Sequence, residues 1–300
     1  MDIYKQITRN KIDSVILMVL ALTPFALVMV LLVWLESLLY VRVSDLRPAI
    51  GLVIVAALAA GLILYRQSRW LILRSCWAAP AFDGPASELI DIVEELAIGA
   101  GIPYPEVYVA EDKSPNAFSF GLSPKRATIV VNSGTLEKLS RPELEAVVAH
   151  EVSHIRNYDI LFSTLMAGFL IMAAKPLAPW RLPNCYAQVE ANGLIFFLIA
   201  GLGVKVAQLG FSRDREYVAD ASAVLLTHNP GALASALEKI RDDKATPLVL
   251  SKGLGSLYIV NPLMKFYMDR PLVDSHPPIE RRIEILEAMA SNGEEPATAY

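Results

Sequence analysis

Two long apolar runs open the chain. Val15 to Leu35 holds 21 residues without a charge, and Pro48 to Tyr65 holds 18 more. A helix needs about 20 apolar residues to cross the hydrocarbon of a bilayer, so residues 1–75 are expected to form an anchor of two transmembrane helices. Beyond that point the pattern changes to mixed periodicities. Leu89, Ile92, Val93 and Leu96 recur at helical spacing within residues 86–100, which predicts an amphipathic helix. Val107 to Val109 and Thr128 to Val131 are strand-like, and Asn116 to Phe120 is expected as an edge strand between them. Leu144, Val147, Val148, Val152 and Ile155 then return to helical intervals. Ahead of them Ser140-Arg141-Pro142-Glu143 has capping-box spacing, with Pro142 in the first turn where its missing N–H costs little. Asn229-Pro230 starts another helix, and residues 243 to 271 read as loop-rich.

Two shorter apolar stretches, Ile160 to Ala174 and Gly193 to Val204, lie inside the mixed region. Length alone leaves them ambiguous between a membrane hairpin and buried helices. The expected class is therefore α+β, a multi-pass helical membrane protein. Residues 76–300 form its second domain, interrupted by a hydrophobic hairpin at about 160–211.

Composition supports the membrane reading. The chain is 54% hydrophobic, and its mean hydropathy of +0.42 is too apolar for an ordinary soluble domain of this length. No small-residue cleavage site closes the first run at signal-peptide length, so it is read as a retained anchor. Lys5, Arg9 and Lys11 precede the first run, and Arg66, Arg69 and Arg74 follow the second. Arg42 and Arg47 lie between them, and Lys175 and Arg181 lie in the later loop. This excess puts both termini and the second domain in the cytoplasm. A net charge of −4 gives no footprint for nucleic acid. Cys76 and Cys185 lack C-x-x-C spacing and imply neither a disulfide framework nor a thiol site.

The chemistry concentrates in His150-Glu151-Val152-Ser153-His154. On a helix, residues i and i+4 share a face, so the two imidazoles address one point. Zinc accepts such a pair, and Glu151 is placed to act as base on a water there. A third protein ligand is needed. The metzincin pattern would put Gly at 157 and His at 160; Asn157 and Ile160 exclude it. Between His154 and residue 230 the candidate carboxylates are Glu190 and Glu216. Glu190 sits near Pro183 and Gly193 with no acidic partner four residues on. Glu216 lies on a helical stretch capped by Ser212, with Asp220 one turn later on the same face. Glu216 is thus the expected third ligand, and Asp220 the acceptor for the free ring N–H of a ligating His. Since His154 and Glu216 must meet at one ion, the two apolar stretches between them either both span or both do not. The hairpin reading is preferred, and the helix rise from His154 to Ile160, about 9 Å, sets the ion near the membrane surface.

Taken in order, these motifs resemble the HtpX-like membrane metalloproteases, relatives of the zinc-dependent CAAX prenyl proteases. The resemblance rests on His150 to His154, on Arg215-Glu216-Tyr217-Val218-Ala219-Asp220, on Asn116-Ala117-Phe118, and on His276-Pro277-Pro278 with Arg282. It covers residues 116–282, with two hydrophobic segments ahead. One departure is Phe120, where the family often carries a small polar residue. The resemblance implies a gluzincin-type domain in a bacterial inner membrane, with one Zn²⁺ per chain and Glu151 as base. It also implies that Asn116, Ala117 and Phe118 form a strand along the substrate cleft, and that His276 and Arg282 serve as donors to the oxyanion. Polypeptide substrates, damaged or misassembled membrane proteins among them, would be the implied targets. A CAAX-type processing peptidase and a catalytically silent zinc scaffold are the alternatives.

Overall fold

The computed structural model describes residues 66–82, 84, 86–174, 213–248, 252–255, 257–262 and 277–292, with isolated positions at 12, 51 and 55. Both N-terminal apolar runs, the Gly193 to Val204 stretch, Glu190 and His276 fall outside it, apart from those isolated positions. No helix among the described residues is long and apolar enough to cross a membrane.

A four-stranded sheet organises the domain. Its strands are β1 (Ala78–Pro80), β2 (Glu106–Ala110), β3 (Ala117–Gly121) and β4 (Ala127–Asn132), in the order β1-β2-β4-β3. β2 and β4 pair in parallel with Val107 opposite Ile129, whereas β1 and β3 run antiparallel to their neighbours. β3 therefore lies at an edge, as the resemblance of its N-A-F segment implied.

The helices are α1 (Ser87–Ala100), α2 (Ser133–Lys138), α3 (Arg141–Arg156), α4 (Ile160–Ala174), α5 (Arg213–Thr227), α6 (Pro230–Asp242), α7 (Lys252–Gly255) and α8 (Ile279–Asn292), and residues 66–76 are also helical. α1 buries Leu89, Ile92, Val93 and Leu96, the stripe read from its periodicity, and ends at Gly101 in the left-handed conformation (φ 67°). α3 begins with the expected capping box, Glu143 accepting from the Ser140 N–H at 2.7 Å.

Every residue of β3 and β4 is buried, because the sheet has a packed layer on each face. Alternation along the strands sends Val107, Ala117, Ile129 and Val131 into one core, with Val147, Val148 and Val152 of α3 and the apolar sides of α1, α6 and α8. It sends Ala110, Phe118, Phe120 and Val130 into the other, with Leu71, Ile72 and Cys76 of the 66–76 helix, Ala167 and Ile171 of α4, and Tyr258. α3 sits centrally, packed on α1, α5, α6 and β3. The 15 described residues of α4 lie against β3 and α7.

Candidate metal centre

His150 and His154 come from consecutive turns of α3, and their Nε2 atoms stand 3.1 Å apart. α5 packs across α3 and brings Glu216 to both, Oε2 at 3.7 Å from His150 Nε2 and Oε1 at 3.6 Å from His154 Nε2. These donor atoms lie within 4.8 Å of one another, the one such group among the described residues. A tetrahedral ion with bonds of roughly 2.0–2.1 Å holds its ligand atoms about 3.3 Å apart, so the three residues fit a metal of that size. The expected ligand set is brought together by the fold.

The far side of each imidazole meets a carboxylate. His150 Nδ1 lies 2.9 Å from Asp220 Oδ1, as the i, i+4 placement on α5 predicted. His154 Nδ1 lies 3.2 Å from Asp159 Oδ2, a partner that the sequence reading missed. Asp159 is five residues beyond His154, a spacing that no helical periodicity turns back onto the ring. The turn that does so is structural. Asn157 ends α3, Tyr158 takes φ 63°, and the N–H groups of Tyr158 and Asp159 bond the carbonyls of Ile155 and His154 at 3.2 and 3.0 Å. This is the Schellman arrangement with Tyr in the position usually given to Gly, and a left-handed non-glycine here costs about 1 kcal/mol or more. It swings Asp159 back beside His154.

Electrostatics around the rings favour a cation. Burial opposes a charge on His154, but Asp159, Glu216 and Glu151 outweigh it and push its pKa up to about 9. Burial would also raise the Asp220 carboxyl; Arg282 and His150 instead hold it well below the usual carboxylate range.

Arg282 departs from the expected oxyanion role. It is 1% exposed and lies behind His150, with Nε and Nη2 on Asp220 at 2.8 and 2.7 Å and Nη1 on the Ile259 carbonyl at 2.9 Å. Its Nη1 also stands 3.4 Å from Glu216 Oε2. The guanidinium is committed to the carboxylates that support the ligands. The bidentate fit of a planar guanidinium to a carboxylate decided this, and neither the spacing of the motifs nor the resemblance encoded it.

The strand residues Asn116, Ala117 and Phe118 also need correction. Their side chains are 4% exposed or less. Asn116 Nδ2 donates to the Val260 carbonyl at 2.7 Å, and Phe118 packs edge-on to Tyr258 in the core remote from α3. The outward carbonyl of Ala117 already accepts from the Ile259 N–H at 2.9 Å. This part of the edge is closed, because Ile259 is buried in the core on the α3 side and draws its backbone onto the strand. Phe120, the departure in the motif, likewise points away from α3.

Ser119 is the β3 residue that faces the centre. Its Oγ lies 2.6 Å from Glu151 Oε2, and the other carboxylate oxygen, Oε1, is buried with no hydrogen-bond partner among the described residues. The Asn132 N–H bonds the Asn116 carbonyl, so by antiparallel alternation Phe118 and Phe120 carry the ladder to β4. Ser119 then turns its own N–H and C=O to the outer edge, where neither has a partner among the described residues. Beyond it, Thr164 of α4 bonds the Gly121 N–H at 2.7 Å.

The description "Peptidase family M48" matches residues 84–290. A protein named "Protease HtpX homolog" from Listeria monocytogenes serotype 4b is 43% identical over 225 residues, covering 68% of this chain and 74% of that one. A protein of the same name from Lactobacillus helveticus is 37% identical over 309 residues, covering 96% and 100%. The crystal structure of S. mikatae Ste24p aligns with a TM-score of 0.48 at 20% identity, over 94% of this chain and 66% of that one.

Proposed function

Since the chain belongs to peptidase family M48 and is a metalloprotease, we propose that it is a membrane-bound zinc endopeptidase acting on unfolded or misassembled proteins. The ligands are His150, His154 and Glu216, and the base is Glu151. The observation that carries this reading is the convergence of those three donor groups beside a Glu151 with one carboxylate oxygen held and the other without a partner among the described residues.

Zinc, when bound, supplies a Lewis acid for the peptide carbonyl and lowers the pKa of a coordinated water towards ~7. The chain's own groups do the rest. Glu151 Oε1 takes a proton from the attacking water and passes it to the nitrogen of the departing amine as the C–N bond breaks. Asp220 and Asp159 hold the Nδ1–H of the two imidazoles, which keeps each Nε2 free to ligate. Main-chain pairing at Ser119 would align an extended substrate beside Glu151. A register fixed by one residue's N–H and C=O suits loose sequence preference, as quality control of damaged proteins requires. His276 is retained as a proposed donor to the oxyanion.

The N-terminal apolar runs are proposed to anchor the domain in a bacterial cytoplasmic membrane, with the site on the cytoplasmic side. A CAAX-type processing peptidase is disfavoured by the small number of hydrophobic segments. A silent zinc scaffold is disfavoured by Glu151, since a purely structural metal needs no base beside it. Hydrolysis of an unfolded protein by the detergent-purified chain, with and without a chelator, tests the reading alongside Glu151→Gln. We expect loss of cleavage with chelator, and in the Glu151→Gln protein loss of cleavage with the metal retained. Cleavage by the Glu151→Gln protein would overturn the assignment of the base.

A further inference from the structure

We propose that Ser119 is the positioning residue of Glu151, through a hydroxyl that fixes the carboxylate for proton transfer. The inference deepens the function proposed above and rests on it. Ser119 lies on β3 and Glu151 on α3, 32 residues apart in sequence, and they meet inside the interface between those two elements. Both are buried, at 4% and 1% exposure. The 2.6 Å contact between Oγ and Oε2 has the length of a charge-assisted O–H···O⁻ bond. Ser119 Oγ also lies 3.3 Å from the Glu151 backbone carbonyl. The single hydroxyl proton goes to the shorter, charged acceptor, and the pair of contacts brackets the Glu151 side chain from base to tip.

A glutamate has three rotatable bonds, and an unrestrained carboxylate would spread over several rotamers. With Oε2 tied to the strand, the remaining oxygen, Oε1, is left as the proton acceptor. The same strand residue turns its N–H and C=O to the outer edge of β3. One residue therefore fixes the base with its side chain and is placed to register the substrate with its backbone, so the distance between base and scissile bond is set by a single Cα. The Ser119 hydroxyl bonds Glu151 and none of the proposed metal ligands. Its loss should slow the proton transfer and spare substrate and metal binding.

The test compares Ser119→Ala, Ser119→Cys and Ser119→Thr in the full-length, metal-loaded protein, with kcat, KM, metal stoichiometry and thermal midpoint measured for each. Ala removes the donor, and Cys keeps the volume with only a weak S–H donor. Both are expected to lower kcat on the order of tenfold with KM and metal content unchanged, and to lower the midpoint because a buried carboxylate oxygen loses its donor. Thr restores a hydroxyl and is expected to recover most of kcat. A wild-type kcat in both Ala and Cys variants would overturn the proposal. So would a fall in metal content parallel to the fall in activity, because that is the signature of a merely structural serine. Should Ala fail to fold, Cys alone decides, by the same two criteria. Glu151→Gln separates the two readings. If that variant is inactive while Ser119→Ala and Ser119→Cys are normal, only the positioning role fails; if it is active, the function proposed above fails.

Discussion

Asp220 and Arg282 meet behind His150 as a bidentate ion pair, carboxylate to guanidinium at 2.7 and 2.8 Å. The pair links α8, near the C-terminal end, to the ligand helices α3 and α5. It converts an aspartate that would resist burial into a fixed anion facing an imidazole. The candidate metal centre is therefore braced from behind by a buried ion pair.

Removing the guanidinium leaves Asp220 as a buried, unpaired charge. Arg282→Met is expected to lose about 3–5 kcal/mol of stability and to weaken metal binding on the order of 10- to 100-fold. Chemical denaturation and metal titration check both. Unchanged stability and metal affinity with reduced hydrolysis would put Arg282 on the substrate side after all.

The ligand set makes a graded prediction. Glu216→Ala should abolish stoichiometric metal binding and activity together. Asp220→Ala and Asp159→Ala should each weaken metal binding by roughly 10- to 100-fold, and Glu190→Ala should change neither property. Metal content of the four purified proteins decides it. Full occupancy in the Glu216 variant, or loss in the Glu190 variant, would mean that the site closes on a different carboxylate.

Glu143 gives the fold a pH dependence of its own. Burial would raise its pKa, but Lys239, Ser235 and Ser140 outweigh it and bring the carboxyl from 4.5 down to about 2. Its stabilisation is present above about 4.5 and is lost as the pH falls through about 2. Lys239 is half-exposed, at 45%, which discounts the effect to about 2 kcal/mol. Glu143→Gln should be less stable than the parent by that amount at neutral pH, with the gap closing between pH 4.5 and 2. A gap that stays constant over that window would show that the stabilisation is not ionic.

Gly134 in α2 should tolerate no side chain. A Cβ there would stand 2.2 Å from the Lys113 carbonyl oxygen, and the Gly134 N–H bonds the Asp112 carbonyl at 2.9 Å, so the backbones cannot part cheaply. Gly134→Ala is expected to cost about 2–3 kcal/mol, read as a lower denaturation midpoint. A midpoint equal to the parent's would mean that the 112–114 segment shifts freely.

The sequence by itself determined what local periodicity and spacing can specify. The i, i+4 rule placed His150 and His154 on one face of α3 and Glu216 and Asp220 on one face of α5. The stripe of α1 and the Ser140 capping box were legible for the same reason, since each depends on a few neighbouring residues, whereas the edge position of β3 was implied by the resemblance. Only the tertiary structure decided what depends on contacts between distant segments. It set Ser119 against Glu151 across the interface of β3 and α3. It closed the edge at Ala117 with Ile259, and it committed Arg282 to Asp220 instead of to the cleft. In each case the deciding term was burial of a polar group that had to find a partner. Which partner it found was fixed by the packing of elements 30 to 140 residues apart, about which the order of residues along the chain carries no local signal.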